Sequence, residues 1–173
     1  MKTEEEMLPV LDEEGNVTGK APRSLCHSRS GILHPVVHLH IIKSDRSGLL
    51  LQKRALTKLI QPGKWDTSVG GHVSFGEEIA EALRREAAEE ASLTSFNPLS
   101  LTSYKFESDI ERELINCFAC IAPIDYVPVA EKGEADSLRF WSWQEIEEAL
   151  GKDIFTPNFE QEYQKIQHLL KDI

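Results

Sequence analysis

The sequence predicts an α/β (α+β) fold, and three observations lead there. Apolar runs of strand length recur along the chain, HPVVHLHII and LLLQK among them. One segment, 77–91, carries its apolar residues at helical spacing. A second helical stripe, Phe159, Tyr163, Ile166 and Leu170, lies near the end. At 173 residues the chain suits one domain over 1–173, with its core over about 30–173 and an N-terminal hairpin, 8–20, packed on it.

Taken in order, 8–11 and 17–20 read as two short strands about the turn Glu13-Glu14-Gly15-Asn16. Core strands are expected at 34–42 and 49–53, joined by the turn residues Ser44-Asp45-Arg46-Ser47-Gly48. Gln61-Pro62-Gly63-Lys64 punctuates a loop before Trp65. The main helix runs from about Glu77 to Ala91, and strands follow near 98–107, 112–122 and 137–142. Ser142 and Glu145 have the spacing of a capping box and open a short helix. Pro157 and Asn158 begin the last helix, near 158–170, whereas residues 1–6 are expected to fray. No internal repeat or low-complexity tract interrupts this order.

A net charge of −10 excludes a general nucleic-acid binder, which shows a basic face. It leaves room for a small phosphorylated ligand in a locally basic pocket. No run of about 18 apolar residues exists, so no membrane span is expected. The start, MKTEEEM, is acidic and lacks the apolar stretch of a signal peptide. Three cysteines make no disulfide framework, which fits a reducing cytoplasm. Cys117 and Cys120 form a C-x-x-C, but they fall in the strand-like run ELINCFACIAPI. Residues three apart on a strand face opposite sides, so these read as packing residues.

The most informative stretch is GHVSFGEEIAEALRREAAEEASL, Gly71 to Leu93. It sets Glu86, Glu89 and Glu90 at i, i+3 and i+4 of the helix, on one face. At about 100° per residue, Ile79, Ala82, Leu83 and Leu93 share that stripe, so the triplet is expected to face the protein body and line a cleft. Three carboxylates so placed repel one another until a divalent cation neutralises them, and hard cations such as Mg²⁺ take carboxylate oxygens.

Gly71, Glu77, Arg85, Glu86, Glu89, Glu90 and Leu93 stand at the spacing G-x5-E-x7-R-E-U-x-E-E-x-G-U, which resembles the Nudix box. Ala87 is a small apolar residue at a bulky position, and Ser92 replaces the pattern's second glycine, where a left-handed residue ends the helix. The resemblance implies a Nudix fold, a mixed β-sheet between α-helices with the box as loop–helix–loop. It implies Mg²⁺- or Mn²⁺-dependent cleavage of a diphosphate bond in a nucleoside diphosphate linked to another group. Glu86, Glu89, Glu90 and the Gly71 carbonyl would hold metal. Glu77 and Arg85 would hold the loop against the helix.

A narrower resemblance covers nearly the whole chain. LPVLDEEGNVTGKAPRSLCH, GLLLQKRALTKLIQPGKWDTSVGGH and FTPNF look similar to isopentenyl-diphosphate isomerase and its Nudix relatives. It implies a metal held by His27, His34, His72, Glu111 and Glu113. It also implies that Arg23, Arg54 and Lys58 face a diphosphate. The isomerase has a catalytic Cys where this chain has Gly70, and its Nudix box is eroded where this one is complete. An isomerase needs proton transfer across the alkene, which glycine cannot supply. The reading is therefore a hydrolase on an isomerase-like chassis, acting on a small diphosphate substrate. The alternatives are an isomerase with unusual chemistry and a non-catalytic nucleotide- or partner-binding module. A homodimer is compatible with the resemblance.

The residues add their own weight. His34, His38 and His40 share strand parity, and His38 and His40 read as hydrogen-bonded strand residues. Imidazole favours Mn, Fe or Zn over Mg, so a histidine site would take a softer ion. Glu111 and Glu113 point the same way as Ile115 and Cys117, which is costly for a carboxylate without a partner or metal. Arg54 and Lys58 suit phosphate oxygens. Trp65 is a candidate to stack on a base or prenyl group, or a core residue. The base is left open among Glu86, Glu89 and Glu113.

Overall fold

A computed structural model describes residues 4–133 and 135–173. The chain opens with a hairpin, β1 (Met7–Leu11) and β2 (Val17–Pro22), and a single helical turn, α1 (Arg23–Cys26). Then come β3 (Leu33–Ile42), β4 (Gly48–Arg54), β5 (Trp65–Asp66), β6 (Val69–His72) and helix α2 (Ile79–Ala91). The remainder is β7 (Leu99–Glu107), β8 (Arg112–Ile121), β9 (Ala135–Ser142), α3 (Trp143–Ala149) and α4 (Pro157–Lys171).

β3 divides the molecule. It pairs in parallel with β8 along its length and antiparallel with β6 over Val36–Leu39. Its pairing with β4 is a single register position, Ile42 with Leu49. Both faces of β3 are covered, and the only polar residues on it, His34, His38 and His40, share its even-numbered face. Even-numbered Val36 and Ile42 join Ile115, Cys117, Phe159, Tyr163 and Ile166 in the core under α4. Odd-numbered Val37, Leu39 and Ile41 join Ala82, Leu83, Ala87 and Cys120 in the core under α2. The two cysteines lie on opposite faces of β8, both buried and unbonded. On α4, Phe159, Tyr163, Ile166 and Leu170 are buried, each worth about 1.5–3 kcal/mol of transfer energy at most.

Helix ends follow local chemistry. The Ser142–Glu145 capping box opens α3, and Thr156 caps α4 with Pro157 in its first turn. α2 is capped by a Glu78–Glu81 box and ends at Ser92, which is left-handed with φ 53°. The expected elements are present with ends displaced by a residue or two.

Three elements depart from expectation. α1, β5 and β6 occupy stretches that carry no periodic pattern, because a four-residue turn and strands of two and four residues are too short to show one. The expected fraying fails at Glu5 and Glu6. Ser24 N–H donates to Glu5 Oε1 at 2.8 Å and Ser74 Oγ to Glu6 Oε1 at 2.8 Å. Residues 1–3 lie outside the described residues. The hairpin has its own small core of Leu8, Ala21 and Cys26. It carries Arg23 and His27 to the mouth of the cleft described next.

Candidate active site

A cleft of about 530 Å³ opens where β3, β4, β6 and α2 meet. Glu86, Glu89 and Glu90 line it together with Gly70, Gly71, His72, Glu111 and Glu113. The triplet flanks the buried stripe and does not continue it. Ala82, Leu83, Ala87 and Ala91 are the buried residues of α2, and Glu89 is 52 % exposed. Glu86 is half-buried, and burial raises its pKa against the pull of Arg85. Glu90 accepts from the Gly70 N–H at 3.0 Å and from Gln52 Nε2 at 3.3 Å, which ties α2 to β6 and β4.

Arg85 is the clamp of this loop. Its Nε and Nη2 donate to the two oxygens of Glu77 at 2.8 and 2.9 Å, a bidentate pair. Nη2 also donates to the His72 carbonyl at 3.0 Å, and Nη1 to Glu86 Oε1 at 2.7 Å. The Glu77 bonds hold the guanidinium charged, and Arg85 in turn lowers the Glu77 carboxyl. Leu93 is buried against α2.

His27, His34, His72 and Glu113 converge, their ligand-type atoms all within 4.8 Å of one another. His27 Nε2 lies 3.1 Å from His72 Nε2 and 2.9 Å from Glu111 Oε2. His34 Nε2 lies 3.8 Å from Glu113 Oε1. Two backbone carbonyls set the tautomers, since a carbonyl only accepts. His27 Nδ1 donates to Arg23 O at 2.9 Å, and His34 Nδ1 to Ile32 O at 3.1 Å. Neutral His34 therefore presents a bare Nε2 lone pair to the cluster, and that atom is buried without a hydrogen-bond partner. Burial pushes both His34 and His72 down, His72 to about 3, which favours the neutral imidazole over the imidazolium in both. Burial, reinforced by Glu111, pushes Glu113 up to about 7.

The cationic residues sit on two sides. Arg23 lines the cleft beside Glu6, its Nη1 3.5 Å from Glu6 Oε2. Arg54 and Lys58 line the opposite side. Arg54 Nε donates to Ile60 O at 3.0 Å, and Nη1 lies 3.6 Å from Asp66 Oδ2. Trp65 is a correction. It is absent from the cleft lining and packs edge-on against Trp141, ring centroids 5.3 Å apart, on the core under α4. Its pairing with Lys53 on β4 sets its side chain toward that core.

One buried polar cluster carries no sequence motif. Glu162, 1 % exposed on α4, accepts from His38 Nδ1 at 2.8 and 3.0 Å, His40 Nε2 at 3.2 Å and Tyr104 Oη at 3.1 Å. His38 and His40 both hydrogen-bond Glu162, while His40 Nδ1 is buried without a partner and His38 also lines the cleft. Gln52, Asp66, Thr67 and Asn158 are further lining residues that no motif singled out.

Residues 33–163 match the NUDIX domain, which is most of the chain, and the chain belongs to the NUDIX family. Its relatives place it in the isomerase-like branch. It is 30% identical over 163 residues to the isopentenyl-diphosphate Delta-isomerase of Corynebacterium efficiens, covering 91% of this chain and 85% of the relative. It is 29% identical over 160 residues to that of Clavibacter sepedonicus, covering 88% and 80%. Among solved structures, DR0079 from Deinococcus radiodurans superposes with a TM-score of 0.74 at 22% identity, over 92% of this chain and 98% of that one. The MutT protein from Methanosarcina mazei Go1 superposes at 0.64 and 22% identity, over 79% and 94%. These two establish the fold. Among the described residues no helix is long and apolar enough to cross a membrane.

Proposed function

We propose that the chain is a metal-dependent hydrolase. Its substrate would be a nucleoside diphosphate linked to another group, or a related organic diphosphate, cut at the diphosphate bond. The observation that carries this reading is the composition of the cleft wall. Glu86, Glu89 and Glu90 all line it, and none of the cysteines does. Cys26, Cys117 and Cys120 are buried, and the position beside His72 where the isomerase resemblance requires a thiol is a Gly-Gly pair.

Glu86, Glu89, Glu90 and the Gly71 carbonyl would hold Mg²⁺ or Mn²⁺, an oxygen-only set suited to hard ions. His27, His34, His72, Glu111 and Glu113 would hold a softer ion. Ligand atoms about 3–3.5 Å apart suit bonds of about 2.1 Å, and the orphaned His34 Nε2 fits that role. Bound metal would supply charge neutralisation at the phosphates and lower the pKa of an attacking water.

The protein groups do the rest. Arg23, Arg54 and Lys58 would bind phosphate oxygens. Arg85 holds Glu86 in place. The proton of the attacking water would pass to a carboxylate, Glu86, Glu89 or Glu113. The names of the sequence relatives favour a second reading, isomerisation of isopentenyl diphosphate.

One screen separates the two. Nucleoside diphosphate derivatives and isopentenyl diphosphate are incubated with Mg²⁺ and with Mn²⁺, with Glu89→Gln as control. Products are resolved by mass and by chromatography. Hydrolytic products that vanish in Glu89→Gln support the hydrolase. Dimethylallyl diphosphate without hydrolysis overturns it.

A further inference from the structure

His38 makes an unusual pair of contacts. Its Nδ1 side is held by Glu162, buried beneath it on α4. Its other edge turns to the cleft, where its neighbour across the β3–β6 ladder is Gly70. A Cβ on Gly70 would lie 3.4 Å from His38 Cδ2 and 3.6 Å from Nε2. Any side chain at 70 would therefore lie against the face of the imidazole that the cleft reaches. Glycine leaves it uncovered.

The geometry points to His38 as a substrate-binding residue, its Nε2–H donating to a phosphate oxygen of the substrate through the opening that Gly70 leaves. This deepens the diphosphate-cleaving reading and rests on it.

Three observations support the inference. First, a carboxylate only accepts, so the bond to Glu162 places a hydrogen on Nδ1 and aims Nε2 away from α4. No hydrogen bond to Nε2 is formed among the described residues. Second, burial works against a charge on His38, but the Glu162 carboxylate outweighs it and pushes the imidazole up to about 9. Near neutral pH the ring is an imidazolium and Nε2 is a donor, the polarity a phosphate needs. Third, a purely structural role is already filled. His40 meets the same Glu162 oxygen from complete burial, and Tyr104 meets the other. His38 repeats the contact from a side chain 18 % exposed at the cleft.

The position is also right for a diphosphate. Val36, between His34 and His38 on the same strand face, lines the cleft, so the imidazole lies along one wall from the His34–Glu113 cluster. Arg54 and Lys58 line the cleft as well. An extended diphosphate could reach metal with one phosphate and His38 with the next.

The test is calorimetric titration of inorganic pyrophosphate into the Mg²⁺-loaded protein. Wild type, His38→Gln and Gly70→Ala are compared, with Mg²⁺ affinity measured separately. Gly70 has ordinary backbone angles and room for a methyl group, so Gly70→Ala keeps the His38–Glu162 pair and covers its open edge. Both variants should bind pyrophosphate about tenfold more weakly, the scale of one charge-assisted hydrogen bond, with Mg²⁺ affinity unchanged. Binding by His38→Gln within twofold of wild type overturns the inference, as does a wild type that binds no pyrophosphate. If His38→Gln does not fold, Gly70→Ala decides, and wild-type affinity there overturns it. Tenfold loss in a protein that hydrolyses no diphosphate leaves this inference standing and sinks the hydrolase reading. Hydrolysis with unchanged binding in the variants does the reverse.

Discussion

The carboxyl carbon of Glu86 lies 2.1 Å from where a Cβ on Gly71 would stand. The glycine is there because the glutamate side chain passes through the space a side chain would take. The obstructing atoms are the far end of a flexible side chain, so Gly71→Ala should fold with Glu86 displaced. A shift of about 1 Å in a reacting group costs on the order of a hundredfold in rate. Gly71→Ala should therefore lose about two orders of magnitude in kcat while its circular dichroism stays that of wild type. Near-wild-type turnover would show that Glu86 is not needed where it stands.

The histidine cluster predicts retained metal. Purified protein should keep Mn, Fe or Zn through dialysis while losing Mg²⁺, because imidazole ligands favour the softer ions. His72→Ala removes one of the convergent nitrogens and should release about one ion per chain by elemental analysis, given how sharply such sites depend on ligand number. The α2 carboxylates should still bind Mg²⁺ in that variant. Absence of transition metal in every preparation, with His72→Ala unchanged in content and activity, would reduce the cluster to ordinary strand and loop residues.

The His38–Glu162 pair carries a signed pH dependence. His38 is raised from 6.5 to about 9 in the folded chain. Its contribution is complete below the unfolded value of 6.5 and is lost as pH rises through 9. Glu162 is held well below 4.5, so its contribution is present above 4.5 and is lost only as pH falls through its folded value. Linkage over that rise makes the His38 part roughly 3 kcal/mol. Urea unfolding of metal-free wild type should show that loss between pH 6 and pH 9. Glu162→Gln, in which His38 has lost its partner, should show a much flatter slope over the same range. Equal slopes would mean that His38 does not titrate as part of the pair.

Ser92 stands left-handed at φ 53° after the last turn of α2, where its N–H donates to Ala88 O at 3.2 Å. A β-carbon in that region costs about 1 kcal/mol or more, which glycine avoids. The Ser92 Oγ bond to Val129 O, at 3.4 Å, is at the edge of hydrogen-bond range and offsets little. Ser92→Gly should raise stability by about 0.5–1 kcal/mol, or roughly 1–4 °C in Tm for a chain of this size. A fall in Tm would mean that the serine hydroxyl contributes more than the backbone strain removes.

What was legible in the sequence is what has a short period or a local rule. α2 and its carboxylates follow from i, i+3, i+4 spacing, and Ser92 from its place after the helix. The even and odd residues of β3 follow from strand parity. β5 and β6 were hidden in WDTSVGGH, where two glycines supply no side-chain pattern. Trp65 stayed open between substrate and core because a two-residue strand gives no facing until its partner is known. The His38–Glu162 contact spans 124 positions, and no local rule relates them. One sign was available. Glu162 falls three residues after Phe159 and four before Ile166, on the apolar stripe of α4, where an unpaired carboxylate would be costly.

That long contact also bears on how the protein comes into being on the ribosome. β3, β6 and α2 emerge early, and the cleft walls they form can close before the last helix is made. Glu162 arrives near the end, and only its docking fixes the His38 ring and supplies its counter-charge. A chain whose sheet has formed but whose α4 has not yet docked would present an untethered imidazole, so the last tenfold of its affinity for pyrophosphate would come only with α4.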